Sequence, residues 1–272
     1  MIFPSLIDTA SNVSVLCVVD RVRGVTQLRN IVYMVIERYM SSTILRFNAT
    51  TLQQLTDIEV SDMKMPMDIA AFERTAELYV AQMECIWRVS SDGTDIKHWL
   101  PKSPDDTFRP SALSVTSTRL LVTSQRTRQL RQFDADGDEL RRVQLPHYMT
   151  PQHAVESPTG TFIVSLYDIE QSHVVEVNTG GEVLRQFSGS RPTSFSETEH
   201  VAVDSHGNIF VVDSHNRRIL LLDNHLSLRR VIIDEHQLSY GWPSCLCYRE
   251  DKGQLLVVCF MASRVLMFSV IR

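Results

Sequence analysis

Lysine is nearly missing from this chain. Of 27 basic residues among 272, four are lysines (Lys64, Lys97, Lys102 and Lys252) and the rest are arginines. Arginine offers a planar fork suited to carboxylates and phosphates where lysine offers a point charge. A compositional bias explains the excess without any ligand, and that is the simpler reading. Positive charge is in deficit overall: 32 acidic residues leave a net charge of −5 and a pI near 6.0. A protein that coats phosphate backbones is usually basic, so DNA is not an expected partner.

Cysteine is scarce and scattered. Cys17, Cys85, Cys245, Cys247 and Cys259 form no CxxC pair, which excludes zinc-finger and RING spacings. Five unpaired positions fit reduced thiols in a cytoplasmic protein better than a disulfide framework. No apolar run approaches the length of a membrane span, "QLLVVCFM" being among the longest, so no membrane association is expected. The opening residues carry no basic stretch, and Asp8 breaks their apolar character, so they do not read as a signal peptide. Without export, the sequons at Asn12 and Asn48 carry no weight. Sustained helical periodicity is missing. So are the nucleophile elbow, the phosphate-binding loop and any Cys–His pair in a catalytic context.

What is present is a repeat. A short apolar strand recurs as "NIVYMV", "AELYVA", "TRLLVT", "GTFIVS", "NIFVVD" and "GQLLVV". The equivalent residues Met34, Val80, Val122, Val164, Val211 and Val257 are 46, 42, 42, 47 and 46 apart. Proline opens the preceding strand at Pro66, Pro110, Pro151 and Pro243, where a missing donor does no harm. Gly160, Gly207 and Gly253 follow in the next turn, where positive φ is needed. After the column, "IWRVSSDGTDIKHW", "LRQFDADGDELRRV" and "VVEVNTGGEVLRQF" align without a gap as strand, hairpin, strand. Units of this length with four strands are propeller blades. The chain is therefore expected to be all-β, a single six-bladed β-propeller of four-stranded antiparallel blades. The blades are expected over 14–63, 64–104, 105–147, 148–192, 193–236 and 237–272. The last is one strand short, so residues 1–9 are expected to pair beside the C-terminal strand and close the ring.

The fifth unit, "VAVDSHGNIFVVDSHNRRILLLD", resembles an NHL repeat in its small-apolar strand, Gly-Asn turn and "VxDSxNxRI" segment. Units three, four and six keep the pattern in weaker form. The resemblance implies the C-terminal module of tripartite-motif proteins, a non-catalytic platform that binds a protein partner, as in the recognition part of a ubiquitin ligase. RNA is the second ligand that this resemblance implies. Amidating lyases carry the same propeller with three zinc-binding histidines at the channel mouth, and gluconolactonase-like and paraoxonase-like hydrolases are wider six-bladed relatives. A metal-dependent hydrolase or lyase is thus the alternative by class, although one fold hosts many functions.

His153 and His200 share a register, 11 residues before the column, which places both at the mouth of the central channel. The same count in other blades reaches Ile69, Ser111 and Leu246, none of them ligands. A catalytic zinc needs three, and Asp68 and Glu199 leave a calcium ring incomplete, so no metal or cofactor is expected. Five of nine histidines fall in the fifth blade; His206 and His225 belong to the hairpins of one face, and His200, His215 and His236 to the other. "DADGDEL" has its glycine in the wrong place for a calcium loop and reads as a hairpin shared by three blades. Lys97, Arg141, Arg185 and Arg229, 44 apart, form a basic column on the outermost strands, which protects exposed edges. In "DSHNRR", Asp213 accepts turn bonds and Asn216 is expected to take positive φ. The sharper patch is "SQRTRQLRQ": Arg126 and Arg128 in the loop between the middle strands, then Arg131. Arg126, Arg128, Arg131, His200 and His215 are the candidate partner-binding residues. No catalytic residue is assigned, enzymatic activity is not the expectation, and the isolated domain is expected to be a monomer.

Overall fold

The computed structural model describes residues 10–18, 21–38, 41–100, 107–116, 118–167, 173–188, 198–238, 241–260 and 264–270. Every helix or strand among them is a strand, and the 24 strands form six four-stranded antiparallel sheets. No helix is long and apolar enough to cross a membrane. Strand β1 (Ala10–Cys17) precedes the first complete blade of β2 (Arg21–Leu28), β3 (Ile31–Glu37), β4 (Ser42–Asn48) and β5 (Ile58–Val60). The second holds β6 (Pro66–Phe72), β7 (Glu77–Gln82), β8 (Cys85–Ser90) and β9 (Ile96–Leu100), and the third β10 (Ala112–Val115), β11 (Leu120–Ser124), β12 (Gln129–Phe133) and β13 (Glu139–Gln144). The fourth is β14 (Thr150–Glu156), β15 (Phe162–Tyr167), β16 (His173–Val177) and β17 (Val183–Ser188). The fifth is β18 (Thr198–Val203), β19 (Ile209–Asp213), β20 (Arg218–Leu222) and β21 (Leu228–Ile233). The sixth has β22 (Trp242–Arg249), β23 (Gln254–Phe260) and β24 (Arg264–Val270), and β1 pairs with β24 as its outer strand.

The ring is thus closed by a strand near the N-terminus, as a short last blade requires. The expected closing residues 1–9 lie outside the described residues. The described closing strand is Ala10–Cys17, so residues 14–17, assigned from sequence to the first blade, sit in the sixth sheet. The run "VSVLCVVDRVRGV" holds no proline and no turn pair, so nothing in it marks where one blade ends and the next begins.

Each sheet is apolar on both faces and cannot bury them alone. Six buried clusters result among the described residues, one between each pair of neighbouring blades. Met34, Val80, Val122, Val164, Val211 and Val257 are all fully buried. They pair on the innermost strands with Val25, Ile69, Leu113, Ala154, Val201 and Leu246. At about 25 cal/mol per Å² of apolar surface, this repeated burial is the main favourable term.

The innermost strands break register just ahead of those partners, between Pro66 and Asp68, Pro151 and His153, and Pro243 and Cys245. Proline, with no donor to give, suits such a bulge in these three blades, and the same break occurs without proline between Val22 and Gly24 and between Thr198 and Val201. We call the end of the ring where the innermost strands begin the upper face, and the opposite end the lower face.

Candidate functional site: the upper face and channel mouth

The residue just ahead of each innermost column partner is Gly24, Asp68, Ala112, His153, His200 or Cys245. This corrects the set reached by counting 11 back from the column, Ile69, Ser111 and Leu246. A fixed count fails because the first hairpins vary from two to five residues, as in Leu28↔Ile31 and Val203↔Ile209. The correct register brings Asp68 together with His153 and His200, whose ligand atoms all lie within 4.8 Å of one another.

Those side chains mostly tie inner strands together. Asp68 Oδ1 accepts from its neighbour's amide, Ile69 N (2.8 Å), and Oδ2 from Leu113 N in the next blade (2.9 Å). His153 is 1% exposed. Its Nε2 donates to the Leu113 carbonyl (3.1 Å) and its Nδ1 accepts from Val201 N (3.4 Å). The partners assign the tautomer, so both ring nitrogens are spent on backbone. Burial first, and the adjacent His200 second, hold the His153 pKa well below its usual value. The two imidazoles stack, with centroids 3.5 Å apart and planes 25° from parallel. Asp68, Leu113, His153 and Val201 thus link blades two to five around the axis. Gly24 completes the packing on the first blade: a Cβ there would come within 2.8 Å of Asp68 Oδ1.

His200 differs from its neighbours. Among the described residues none bonds either of its ring nitrogens, and its Nε2 stands 3.8 Å from Asp68 Oδ2. It lines both halves of the channel. Above it a cavity of about 470 Å³ opens upward between Arg21, Arg23, Ser111, Gln125, Gln152, Tyr167 and Ser244. Below it a chamber of about 180 Å³ is bounded by Thr26, Ser114, Glu156 and Tyr248. The Asp68–His153–His200 layer is therefore the waist of the channel. Cys245 and Cys247 line its two sides, and burial pushes the Cys247 thiol up to about 11, which keeps it protonated and unreactive at neutral pH.

Around the cavity the upper face is rich in exposed large apolar side chains. Met65, Met83, Tyr148, Tyr167 and Trp242 are all exposed there, Tyr148 at 70%. The other exposed large apolar residues lie on outermost strands or on β1, and the described lower-face hairpins carry none. Trp242 stacks on His215 (centroids 5.9 Å apart), and the Arg217 guanidinium lies 5.7 Å from its ring. Methionine, aromatic and arginine side chains together are the composition that protein interfaces favour.

The expected partner-binding residues divide. Arg126 and His215 are exposed on this face, and His200 forms the cavity floor. Arg128 is half-buried; it takes positive φ (54°), and its carbonyl accepts from Leu145 N and Gln144 Nε2. Arg131 does not reach the face at all. It is 6% exposed, with its guanidinium 4.0 Å from the centre of the Phe108 ring and bonds to Gln129 Oε1. It pairs with Val122, a core position that other blades fill with Leu45, Trp87, Val175, Leu220 and Leu266. The alternation of "RQLRQ" hides this, because sequence alone does not say which charged residue an aromatic ring will cover. In the matching turn of the fifth blade, positive φ falls on Arg217 (48°), not on Asn216, whose amide instead donates to the Asp213 carboxylate.

His206 and His225 do lie together on the lower face, in a groove between blades four and five. Asp134 Oδ1 accepts from the amides of Asp136, Gly137 and Asp138, which makes "DADGDEL" a hairpin cap. Lys97, Arg141, Arg185 and Arg229 all fall on outermost strands, where Arg185 pairs with Glu176 (3.0 Å). Arg21, Arg23, Tyr148 and Trp242 were not singled out from sequence. A signal was there for two upper-face residues: Met65 and Trp242 are large apolar residues directly before a strand-opening proline.

No family model matches the chain, and no curated protein matches it. Solved structures match across nearly the whole length. Virginiamycin B lyase from Staphylococcus aureus superposes with a TM-score of 0.66 at 11% identity, covering 96% of this chain and 99% of that one. Hydrazine synthase from Kuenenia stuttgartiensis gives 0.66 at 12%, covering 91% and 95%. A streptogramin B lyase structure gives 0.61 at 12%, covering 94% and 97%. At this identity the likeness is one of fold: a six-bladed propeller, shared by proteins with different activities.

Proposed function

We propose that the chain is a non-catalytic binding platform that docks a protein partner on its upper face. The observation that carries this reading is the segregation of exposed Met65, Met83, Tyr148, Tyr167 and Trp242 to that face, with Arg126, His215 and Arg217 among them. Scattered single apolar residues need no explanation, but a one-sided set around a central cavity marks an interaction surface. The waist supports the same reading. Two of its three titratable side chains, Asp68 and His153, bond backbone groups of neighbouring blades, which is structural work. The NHL-like fifth blade adds a resemblance to recognition modules, tripartite-motif ligases among them.

Capture from an extract of the source cells tests the reading, with the tagged chain as bait. A specific protein should be retained by the wild-type chain and by the lower-face variant Arg74→Glu. The double variant Trp242→Ala/Tyr148→Ala should lose it at least tenfold. Ribonuclease should leave it bound; release by ribonuclease would instead make RNA the ligand. Equal retention by the double variant would contradict docking on this face.

A further inference from the structure

The inner-strand bulges supply the wall of the channel-mouth cavity. In four blades the residue inserted at the break is Arg23, Met67, Gln152 or Ser244, and all four line the cavity. Bulges re-aim side chains and gather beside working sites. The third blade adds Ser111 and Gln125. Ser111 Oγ donates to the Thr123 carbonyl (3.0 Å) and accepts from Gln125 N (3.3 Å), which fixes the start of the loop. Gln125 Nε2 donates to Gln152 Oε1 (2.7 Å), so amides of adjacent blades hold each other. That bond leaves an acceptor, Gln125 Oε1, and a donor, Gln152 Nε2, without a partner among the described residues. Tyr167 gives the same cavity a ring that is 41% exposed. The charged groups offset one another. Glu37 Oε2 stands 2.6 Å from Arg23 Nη2 and 3.9 Å from Arg21 Nη1, and Asp68 brings a second carboxylate to the lining. Two guanidinium groups thus meet two carboxylates.

An ion that left water for this cavity would meet charges already offset, and its lost hydration would go uncompensated. A neutral ligand rich in hydroxyls carries no such cost. Each hydroxyl both donates and accepts, and the amide and serine groups here do both as well. The C–H face of a sugar ring is apolar, which suits an exposed tyrosine ring. A volume of about 470 Å³ lies within the ~300–1,000 Å³ of ordinary ligand pockets. We propose that this cavity binds a neutral sugar. Two neighbouring hydroxyls would sit on Gln125 and Gln152, another on Ser244, and the ring C–H groups against Tyr167. The inference goes beyond the docking reading and stands without it: Tyr148 and Trp242 do not line the cavity.

The probes are the methyl β-glycosides of glucose, galactose, mannose and N-acetylglucosamine, read by saturation-transfer NMR. At least one should take up saturation from the wild-type chain. Gln125→Ala/Gln152→Ala should weaken its binding about tenfold. Among the described residues these two side chains bond only each other, so removing both leaves no partner stranded, and the variant should unfold at the wild-type midpoint. Tyr167→Ala, at an exposed position, is a second route and should weaken the same glycoside by a similar factor. The methyl β-glycosides of glucuronic acid and glucosamine, one anionic and one cationic, should each bind more weakly than the neutral sugar. Trp242→Ala/Tyr148→Ala should bind it as wild type does. Silence from every neutral glycoside would overturn the inference. So would undiminished binding in Gln125→Ala/Gln152→Ala or in Tyr167→Ala, or a charged glycoside that equals the neutral one. Loss of binding in Trp242→Ala/Tyr148→Ala would put the sugar on the rim and overturn it too.

Discussion

The two faces of the ring are made by the same repeat and use it differently. Lower-face hairpins are short and close on themselves. Asp134, Asn178, Asp204 and Asp223 each cap their own turn, accepting two or more backbone amides through one oxygen. Gly137, Gly160, Gly207 and Gly253 supply the positive φ those turns need. The upper face differs in what its described residues expose. It carries the exposed Met, Tyr and Trp side chains, Arg126 and the cavity mouth. On the docking reading proposed above, one face is the fastening of the scaffold and the other its working surface. The waist between them belongs to the fastening, although it is made of the residues that most resemble a catalytic centre.

The contrast can be broken most severely at the waist. Replacing His153 by Leu leaves the Leu113 carbonyl and the Val201 amide without their side-chain partner between adjacent inner strands. An unsatisfied buried group costs about 1–3 kcal/mol, so the variant should lose roughly 2–5 kcal/mol in denaturant unfolding. If instead stability held and only a catalytic activity fell, the waist would be a working site. Next comes the lower face. Asp204→Ala removes the acceptor of His206 N, Asn208 N and the Asn208 side chain. It should cost about 1–3 kcal/mol of stability and leave partner capture unchanged.

The upper face should behave in the opposite way. Trp242→Ala loses only its contacts with His215 and Arg217 among the ring interactions described. Its unfolding free energy should stay within about 1 kcal/mol of wild type. Partner affinity should fall at least tenfold, about 1.4 kcal/mol.

The smallest effect is in pH. Burial, then His200, depresses the His153 pKa from its ordinary 6.5. The unfolded chain takes up a proton near that value and the folded chain refuses it. Stability from this group is therefore full above about pH 6.5 and is lost as pH falls from there toward the folded value. Paired unfolding curves should show wild type losing its advantage over His153→Leu as pH drops from about 6.5 to 5. A constant difference would mean that His153 takes up its proton as readily in the folded ring as in the unfolded chain.

How much of this the sequence disclosed depends on what repeats. The column of Met34, Val80, Val122, Val164, Val211 and Val257 recurs because every blade must fill the same buried place, so six blades could be counted directly. Closure by the N-terminal region followed from the missing strand of the last blade, though the strand itself lies at Ala10–Cys17. Hairpin caps were legible because the Asp-Gly pattern is local. The waist was half legible. His153 and His200 share a spacing, but Asp68 does not, because its hairpin and strand lengths differ. Arg131 was misplaced because its burial depends on Phe108, 23 residues earlier in the chain. The upper-face set was the least legible. Tyr148, Tyr167 and Trp242 come from different turns and share no motif, and only the closed ring brings them to one side.

Site-specific photocrosslinking tests the division of faces most directly. A benzophenone side chain placed at Tyr148 or Met83 on the upper face, and at Thr75 or His225 on the lower, would be irradiated with the captured partner present. The account predicts adducts from Tyr148 and Met83 and none from Thr75 or His225. Adducts from the lower positions, with none from the upper, would contradict it.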